Sequence, residues 1–485
     1  MPGDREVDRA IKCSYAQAML WSVFAASTGG MFLTGFAMKL GAGDFMLGLM
    51  TTLPQLLIIF QFPGALLVER GISRKKLALG FGLVAPLCWF LIAAIPFIGT
   101  EYARSHLGFI TPANLKTLQF SILIGTLALV TGTSQLSNSA RGSWLGELVP
   151  EDRRGSFFGK SAMYWMIVFA GFTIVEGKFI DKIRNMDLFA FTGLFFFGTL
   201  FGLVSVMLTL PQADCPLPSD ESRRSMMEIA RRTIRNRPFV KLALVHVCWS
   251  MTSVAGPFFP AYMIRDVGVS YFGLGVINSF WHVAFLAASP VAGKLVNRFG
   301  CKPIMTLGFL TWAPCTLVWL AVPPGMPERA WHFLPVVNIV AGFAAAAVNV
   351  AVSTMIYKTS KPVGRSVQFA LYNTFVVLCG APMPLLGGWA VSKLQAAGHA
   401  VDLRLTFFCS QAFVLLAAYR STKTKEPDAV KARSLAFHYF PTRLAAAFNI
   451  NLQELPYYPA FLRRFNIPVT TPRDEGKSAA QRRKP

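Results

Sequence analysis

Long apolar segments recur along the chain and limit its possible folds more than any other feature. Twelve segments are each long enough to cross the hydrocarbon core of a bilayer as a helix, which takes about 20 residues. Apolar residues make up 53% of the 485 residues, and charged residues only 15%. Because a soluble protein of this length needs more surface charge, the sequence predicts an all-α integral membrane protein.

The segments form two sets of six, and a polar linker separates the sets. The predicted spans are 14–38, 45–68, 77–98, 117–140, 158–178 and 188–210, then 239–262, 272–294, 303–322, 332–356, 367–391 and 404–420. The predicted units are an N-terminus at 1–13, a six-helix bundle at 14–210, the linker at 211–238, a second six-helix bundle at 239–420, and a basic tail at 421–485. We expect the first segment to remain in the protein, because it is too long for a cleavable signal peptide.

The net charge of +23 would suit a protein that binds nucleic acid, but its distribution indicates a membrane protein. Most of the 47 Lys and Arg residues fall in alternate loops, in the linker and in the tail. The positive-inside rule then places both termini in the cytoplasm. We expect a multi-pass monomer of the plasma membrane, in contact with lipid and not with nucleic acid.

Neither the cysteines nor the one segment similar to a phosphate loop has the spacing that a binding site of its kind requires. The eight Cys residues lie mostly in apolar segments without metal-binding spacing, so we expect no disulfide, no metal site and no cofactor. The segment GSFFGKS at 155–161 has one residue too few between its glycines for a phosphate loop, and it follows no strand.

Two loop motifs recur at matching places in both halves. GALLVERGISRKK (64–76) follows the second span, and GKLVNRFGCK (293–302) follows the eighth. VPEDRRG (149–155) follows the fourth span, and KPVGRS (361–366) follows the tenth. Glycine lets neighbouring helices pack closely, while acids, arginines and helix ends form charge clusters that can hold one conformation.

These loops carry a resemblance to a known family. GKLVNRFGCK resembles the signature loop of the major facilitator superfamily at Gly293, Leu295, Arg298, Gly300 and Lys302, with Asn297 in place of the acid. GALLVERGISRKK is a looser copy, with Glu69, Arg70, Arg74 and Lys75. ELVPEDRRG (147–155) is similar to the loop after the family's fourth helix. The resemblance covers about residues 14–420, and it implies the major facilitator fold, with twelve helices in two pseudo-symmetric six-helix bundles.

The duplicated loops supply the predicted gating charge clusters at the inner face. The first comprises Gly64, Glu69, Arg70, Arg74, Glu147 and Arg154. Its counterpart comprises Gly293, Asn297, Arg298, Gly300 and Arg365. The alternative is that these are ordinary cationic loops with turn-forming glycines.

Polar and aromatic residues near mid-membrane supply candidates for a substrate cavity, because the family lines its cavity with spans one, four, seven and ten. The candidates are Ser27, Thr28, Thr131, Thr133, His246, Trp249, Asn278, His282 and Asn349. Ionisable groups inside a span are costly unless they are used or paired, so His282 is the best candidate for coupling. We place Glu176 near the outer end of span five, at the interface. Each candidate could instead make an ordinary hydrogen bond between helices.

The predicted function is secondary active or facilitative transport of a small organic solute by alternating access, with a coupling proton or ion as an option. Mid-span acids are few, which favours a neutral or anionic solute. Span four lacks a central Arg, since Arg141 lies near its inner end, and span five lacks the Gly–Pro motif of the family's antiporters. The alternatives are a transporter-fold assembly factor or receptor, and a membrane enzyme, which the short outer loops disfavour.

Overall fold

A computed structural model describes residues 4–70, 72–98, 100, 114–183, 188–214, 231–360, 365–399, 401–424 and 426. These residues form twelve long helices, which we number in chain order. They are α1 (Arg5–Lys39), α2 (Asp44–Val68), α3 (Arg74–Ile98), α4 (Leu115–Leu145), α5 (Arg153–Lys182), α6 (Leu188–Met207), α7 (Arg237–Val267), α8 (Tyr271–Phe299), α9 (Cys301–Leu320), α10 (Pro327–Thr359), α11 (Gln368–Ala396) and α12 (Arg404–Thr422).

Eleven helices in the described ranges, α1 to α11, are long and apolar enough to cross a membrane. The twelfth, α12, is not in that set, because it carries more polar residues. Several of them are buried against the other helices, including Thr406, Ser410 and Gln411. The hydroxyl of Ser410 donates to the carbonyl of Thr252 in α7, at 3.2 Å. Such pairing satisfies polar groups in the interior and lets a less apolar helix join the bundle.

The first helix begins earlier than its predicted start at residue 14. Val7 and Ala10 are buried in the first turns, and Ala10 packs in a small apolar cluster with Trp144 at the end of α4 and Leu148 just after it. Residues 4–13 are therefore a helical extension of the first span. Most of the predicted tail, and residues 215–230 of the linker, lie outside the described residues.

The helices α1 to α6 and α7 to α12 form two halves with the same internal packing. In the first half, α1 packs on α5 and α6, α3 packs on α4 and α6, and α2 packs on α4. In the second half, α7 packs on α11 and α12, α9 packs on α10 and α12, and α8 packs on α10. The pairs correspond one to one, which confirms the predicted arrangement of two pseudo-symmetric six-helix bundles.

The halves meet along a seam formed by α5 against α8 and α2 against α11. Glycines permit the close approach there. A Cβ atom added to Gly48 would lie 2.5 Å from the carbonyl oxygen of Pro384, and one added to Gly177 would lie 2.6 Å from that of Tyr271. These contacts lie nearer the end of the bundle opposite the N-terminus. We name that end the distal face and the other end the terminal face.

Some helices are interrupted near the seam. Helix α1 breaks at Gly29, and the following Gly30 has a φ of 51°. Helix α7 contains a 3₁₀ turn at Met251–Ala255, just before Pro257, which lacks a backbone N–H group. Irregular backbone inside a membrane protein is tolerated where it is buried or lines a cavity. Both breaks are beside the cavities described below.

Candidate functional site

Described residues line at least four cavities among the helices, and two of these cavities share Asn278 and His282 of α8. The seam cavity, about 80 Å³, lies between the halves among α1, α5 and α8. The aromatic cavity, about 200 Å³, lies among α7 to α10 and is lined by Trp281, Trp312 and Trp319. His282 therefore lies between the two cavities. Its Nδ1 is 3.0 Å from the carbonyl oxygen of Asn278, and its ring contacts that of Phe169 in α5.

A third cavity, of about 340 Å³, lies between α7 and α11 and contains two predicted residues, His246 and Trp249. Nδ1 of His246 is 3.0 Å from the hydroxyl of Tyr372, while Trp249 stacks edge-on against Trp312. Asn373, which sequence reasoning missed, also lines this cavity and is exposed. We name it the α7–α11 cavity.

The fourth cavity, about 270 Å³, lies in the first half and contains Arg141. Gln17, Asn138 and Trp21 also line it. Arg141 is not among the predicted cavity residues, because it lies near the terminal end of α4. The structure places its side chain on a cavity wall, where a cation can bind an anionic or hydrogen-bond-accepting group. We name this the arginine cavity.

Five predicted cavity residues line none of the four cavities. Ser27 and Thr28 are buried, and their hydroxyls reach the carbonyl oxygens of Val23 and Phe24. Thr133 donates to Leu129 of its own helix. The remaining two are the half-buried Thr131 and the exposed Asn349.

The predicted charge cluster of the first half centres on Arg74 and Glu147. Nη2 of Arg74 lies 2.6 Å from Oε2 of Glu147, and Nη1 donates to the carbonyl of Ser143 at 3.3 Å. The Arg74 side chain is only 1% exposed, whereas Arg70 is exposed. This ion pair between the buried Arg74 and the more exposed Glu147 ties the start of α3 to the segment just after α4.

Other residues of that cluster have separate contacts. Nε of Arg154 donates to the carbonyl of Val149, and Arg153 pairs with Asp8 at 3.1 Å. A Cβ added to Gly64 would collide with the hydroxyl of Ser139, so Gly64 allows α2 to pack tightly on α4. The side chain of Glu69 lies outside the described part of the structure.

The counterpart in the second half is more exposed. Asn297 and Arg298 are both exposed, and the guanidinium of Arg298 lies over the ring of Phe299. Gly300 ends α8 with a φ of 96°, a conformation that favours glycine. Gly293 has open space where a Cβ would be, so it is not required for close packing here. The side chain of Arg365 is not among those described.

A second pair of corresponding contacts, which the sequence motifs do not indicate, lies at the terminal face. Asp214, after α6, accepts a hydrogen bond from the hydroxyl of Ser73 at 2.6 Å, just before α3. Glu426, after α12, accepts from the backbone N–H groups of Cys301 and Lys302 at the start of α9. Each half thus places a carboxylate from beyond its sixth helix at the N-terminus of its third helix, where the helix dipole favours negative charge.

Glu426 also forms an ion pair with Lys358 at the end of α10, at 2.8 Å. Burial by itself raises the pKa of Glu426, but the hydrogen bonds from Lys358 and from the two backbone N–H groups outweigh it. The net effect is a pKa below the ordinary value for Glu. The charged carboxylate of Glu426 therefore holds the start of α9 next to the ends of α10 and α12.

An ion pair joins the two halves at the distal face. Asp44 begins α2, and its Oδ1 lies 2.7 Å from Nη1 of Arg265 at the end of α7. The Asp44 side chain is 5% exposed, and Arg265 also contacts Asp266. We name the pair Asp44–Arg265 the distal latch.

Hydrogen bonds to backbone groups close the same face. Asp181 at the end of α5 accepts from the N–H groups of Tyr271 and Phe272, at 3.0 and 2.8 Å, where α8 begins. The hydroxyl of Thr52 in α2 accepts from the N–H of Leu385 in α11, at 3.1 Å. Hydrogen bonds therefore join α5 to α8 and α2 to α11 at the distal face.

Two further residues were missed or misplaced by sequence reasoning. Glu176 is 3% exposed and thus buried between helices, not at the interface as predicted. The spacing along α5 is consistent with this burial, because Glu176 follows the cavity-lining Phe169 and Thr173 on the same face of the helix. Asn338 of α10 lines the aromatic cavity and donates to the carbonyl of Ile277 at 2.8 Å. Within the described ranges, no group of three His, Cys, Asp or Glu side chains could hold a metal ion.

Comparisons with known proteins agree with this architecture. The nucleoside transporter NupG superposes with a TM-score of 0.58 at 13% identity, covering 86% of this chain and 98% of its own. A bacterial homologue of the human lysosomal transporter Spinster, inward-facing and unoccupied, gives 0.61 at 14% identity, covering 89% of this chain and 100% of its own. A POT family transporter in complex with 5-aminolevulinic acid gives 0.60 at 13% identity, covering 87% of this chain and 97% of its own.

At such low identity these structures establish the fold alone. No curated protein matches the chain in sequence. Residues 243–467, however, match the sequence profile of the Major Facilitator Superfamily. The sequence match in the second half and the fold shared by both halves support the assignment of this protein to the Major Facilitator Superfamily of membrane transporters.

Proposed function

We propose that the protein moves a small organic solute by alternating access, as a secondary active or facilitative transporter. The observation that carries this proposal is the bonding of the seam at the distal face. The distal latch and the Asp181 contacts hold the halves together at the distal face. Two helical halves held together at the distal face correspond to one of the two states that alternating access requires.

Polar residues on the terminal side of the cavities support an open path there. Asn138 of α4 and Asn373 of α11 are exposed and line cavities in opposite halves. An amide facing lipid would lose its hydrogen bonds to water, at a cost of several kcal/mol. These side chains therefore favour a wet central space that opens toward the terminal face.

The cavities suggest a solute with two kinds of groups. Arg141 favours an anionic group or a hydrogen-bond acceptor in the arginine cavity. The indoles of Trp249, Trp281 and Trp312 favour a ring or another flat apolar part on the opposite side. The solved neighbours transport nucleosides or bind 5-aminolevulinic acid, which fits a small polar organic solute.

The orientation follows from charge, and it completes the proposal. Because Lys and Arg cluster in the loops at the terminal face, that face is the cytoplasmic one and both termini are inside. The structure then corresponds to an inward-open state, closed toward the outside. We place the protein in the plasma membrane.

The test is uptake into proteoliposomes. Purified protein is reconstituted, and a panel of radiolabelled nucleosides, short peptides, organic anions and organic cations is offered with and without an imposed pH gradient. We expect saturable uptake of a neutral or anionic solute, and loss of that uptake in Arg141→Gln. Binding of a panel member without any flux would instead favour the alternative, a receptor built on a transporter fold.

A further inference from the structure

Glu176 is a buried ionisable group to which the proposed function assigns no role. It is 3% exposed and lies in α5, where its Oε1 is 2.5 Å from the hydroxyl oxygen of Ser27 in α1. Its other oxygen, Oε2, is buried and has no hydrogen-bond partner. None of the ion pairs in the described part of the chain includes it. A carboxylate in this setting would lack the compensation that a buried charge needs.

The hydrogen bonds around Ser27 show which form of the carboxyl group fits. The Ser27 oxygen is 2.5 Å from Glu176 Oε1 and 2.9 Å from the carbonyl oxygen of Val23. A serine hydroxyl has one proton, so it can donate to only one of these two acceptors. If Glu176 carries a proton, its O–H donates to Ser27, and Ser27 donates to Val23. Both short contacts are then hydrogen bonds, and Oε2 is the carbonyl oxygen of a neutral acid.

Within the described residues, the helices packed against α5 provide no cation at this level. Helix α6 contains no ionisable side chain. On α1, the ionisable residues nearest to Ser27 are Tyr15 and Lys39, each about 18 Å away along the helix. On α8, His282 contacts Phe169, which lies about 10 Å from Glu176 along α5.

The remaining charged groups nearby are on α5 itself or at the start of α8. Lys178 is exposed, and Asp181 is bonded to the backbone N–H groups of Tyr271 and Phe272. The hydroxyl of Tyr271 points toward Gly35 of α1. No group described here can neutralise Glu176 except a bound proton.

The position of Glu176 couples it to the seam. Gly177, the next residue, lies against the backbone of Tyr271, and Thr173, one turn earlier, lies against Gly275 of α8. If α5 and α8 separate at the distal face, water reaches the segment that holds Glu176. The carboxyl group can then exchange its proton with the outside, and closing the seam buries it again.

We propose that Glu176 is a proton-binding site, occupied while the distal face is closed and exchanging its proton when the seam between α5 and α8 opens. This rests on the proposed function, since it assigns the coupling ion of that transport cycle to a proton. Glu176 binds the proton from outside with its carboxylate oxygen, and Ser27 orients the neutral acid through the hydrogen bond at Oε1.

Infrared difference spectroscopy of the full chain in liposomes tests the site without a substrate. The C=O stretch of a carboxylic acid is separate from the bands of a carboxylate. We expect wild-type protein at pH 7 to show this band, and Glu176→Gln to lose it. Glu176→Asp keeps a carboxylic acid and should shift the band, which guards against misfolding of the glutamine variant. Glu328→Gln, which changes an exposed acid at the start of α10, should leave the band unchanged.

If no acid band at pH 7 depends on Glu176, the residue is ionised and the proposal is wrong. An acid band that disappears when sodium is added would also overturn it, because a metal cation would then replace the proton. The result does not depend on solute flux. Failure of the uptake experiment would therefore contradict transport, while loss of this band alone would contradict only the proton site.

Discussion

The carboxylate of Asp44 lies 2.7 Å from the guanidinium of Arg265, and this contact joins the first half of the protein to the second. The pair is unequal in its exposure to solvent. Asp44 is 5% exposed and Arg265 is 38% exposed. If the cation is removed, the anion stays buried without its partner unless the halves separate, which lets water reach it. The pair therefore favours the state in which the distal face is closed.

We predict that Arg265→Ala shifts the protein toward the distal-open state. Removing the ion pair should cost the distal-closed state about 1–3 kcal/mol, which is less than for a fully buried pair because Arg265 is partly solvated. This cost corresponds to roughly a 5- to 150-fold change in the ratio of distal-open to distal-closed protein. Spin labels at Phe97 and Phe333, which are exposed near the distal ends of α3 and α10, report the separation of the halves in a cysteine-free background.

Arg404→Ala is the matched control for the latch. Arg404 is as exposed as Arg265 and pairs with Asp402 at 2.7 Å on the same face, but both residues of this pair belong to the second half. Its loss should leave the distance between the labels unchanged. Equal distance distributions in the Arg265 variant and the wild type would show that the latch does not bias the two states.

A second prediction concerns the glycine contact on the other seam. Gly177→Ala places a Cβ 2.6 Å from the carbonyl oxygen of Tyr271, and a backbone atom cannot yield as a flexible side chain does. We expect the closed distal face to lose about 1–3 kcal/mol and the labels at Phe97 and Phe333 to move apart.

Gly171→Ala on the same helix is the control for that change, because a Cβ there has open space. Its effect on the labels should be nil, and its effect on stability neutral or favourable by up to about 1 kcal/mol. Similar distances in the two alanine variants would mean that α5 and α8 are not tightly packed at Gly177.

A third prediction separates stability from gating at the terminal face. Glu147→Gln removes the ion pair between Glu147 and the buried Arg74, so we expect a loss of about 1–3 kcal/mol in the free energy of unfolding, measured by thermal melting in detergent. Arg70→Ala, at an exposed position, should change stability by less than about 0.5 kcal/mol but reduce solute uptake. Normal uptake by the Arg70 variant would remove it from the gate.

The sequence predicted the fold well because the bilayer imposes a strong length rule on apolar helices. Every predicted span overlaps a helix, and the duplicated loops at Gly64 and Gly293 indicated the two-fold repeat correctly. The early start of α1 was missed, since Val7 and Ala10 are buried by tertiary contacts that a hydropathy scan does not include. The polar composition of α12 is explained in the same way, by burial against neighbouring helices.

The candidate site was harder to predict, because loop motifs indicate which residue types recur but not which side chains meet. The sequence placed Arg70 and Arg74 equally beside Glu147, and only the structure shows that Arg74 makes the buried pair. For Glu176, the sequence indicates only how deep the residue lies in its span. Its environment depends on Ser27, which is distant in sequence, so its burial could not be derived from hydropathy.

The last prediction concerns the carboxylate at the end of α12. Glu426 has a lowered native pKa, so folding favours its charged form. Its contribution to stability is present above the ordinary Glu pKa of 4.5, and it is lost as the pH falls through the lower native pKa. Glu426→Gln should therefore cost about 1–2 kcal/mol at pH 7, and the variant and the wild type should converge in acid, where both carry a neutral side chain. Melting curves from pH 7 to pH 3 measure this, with Glu328→Gln as an exposed control that should show a smaller difference. If the stability difference between the variant and the wild type is the same at all pH values, Glu426 acts through its shape alone. Its charge then does not hold the start of α9 against the ends of α10 and α12.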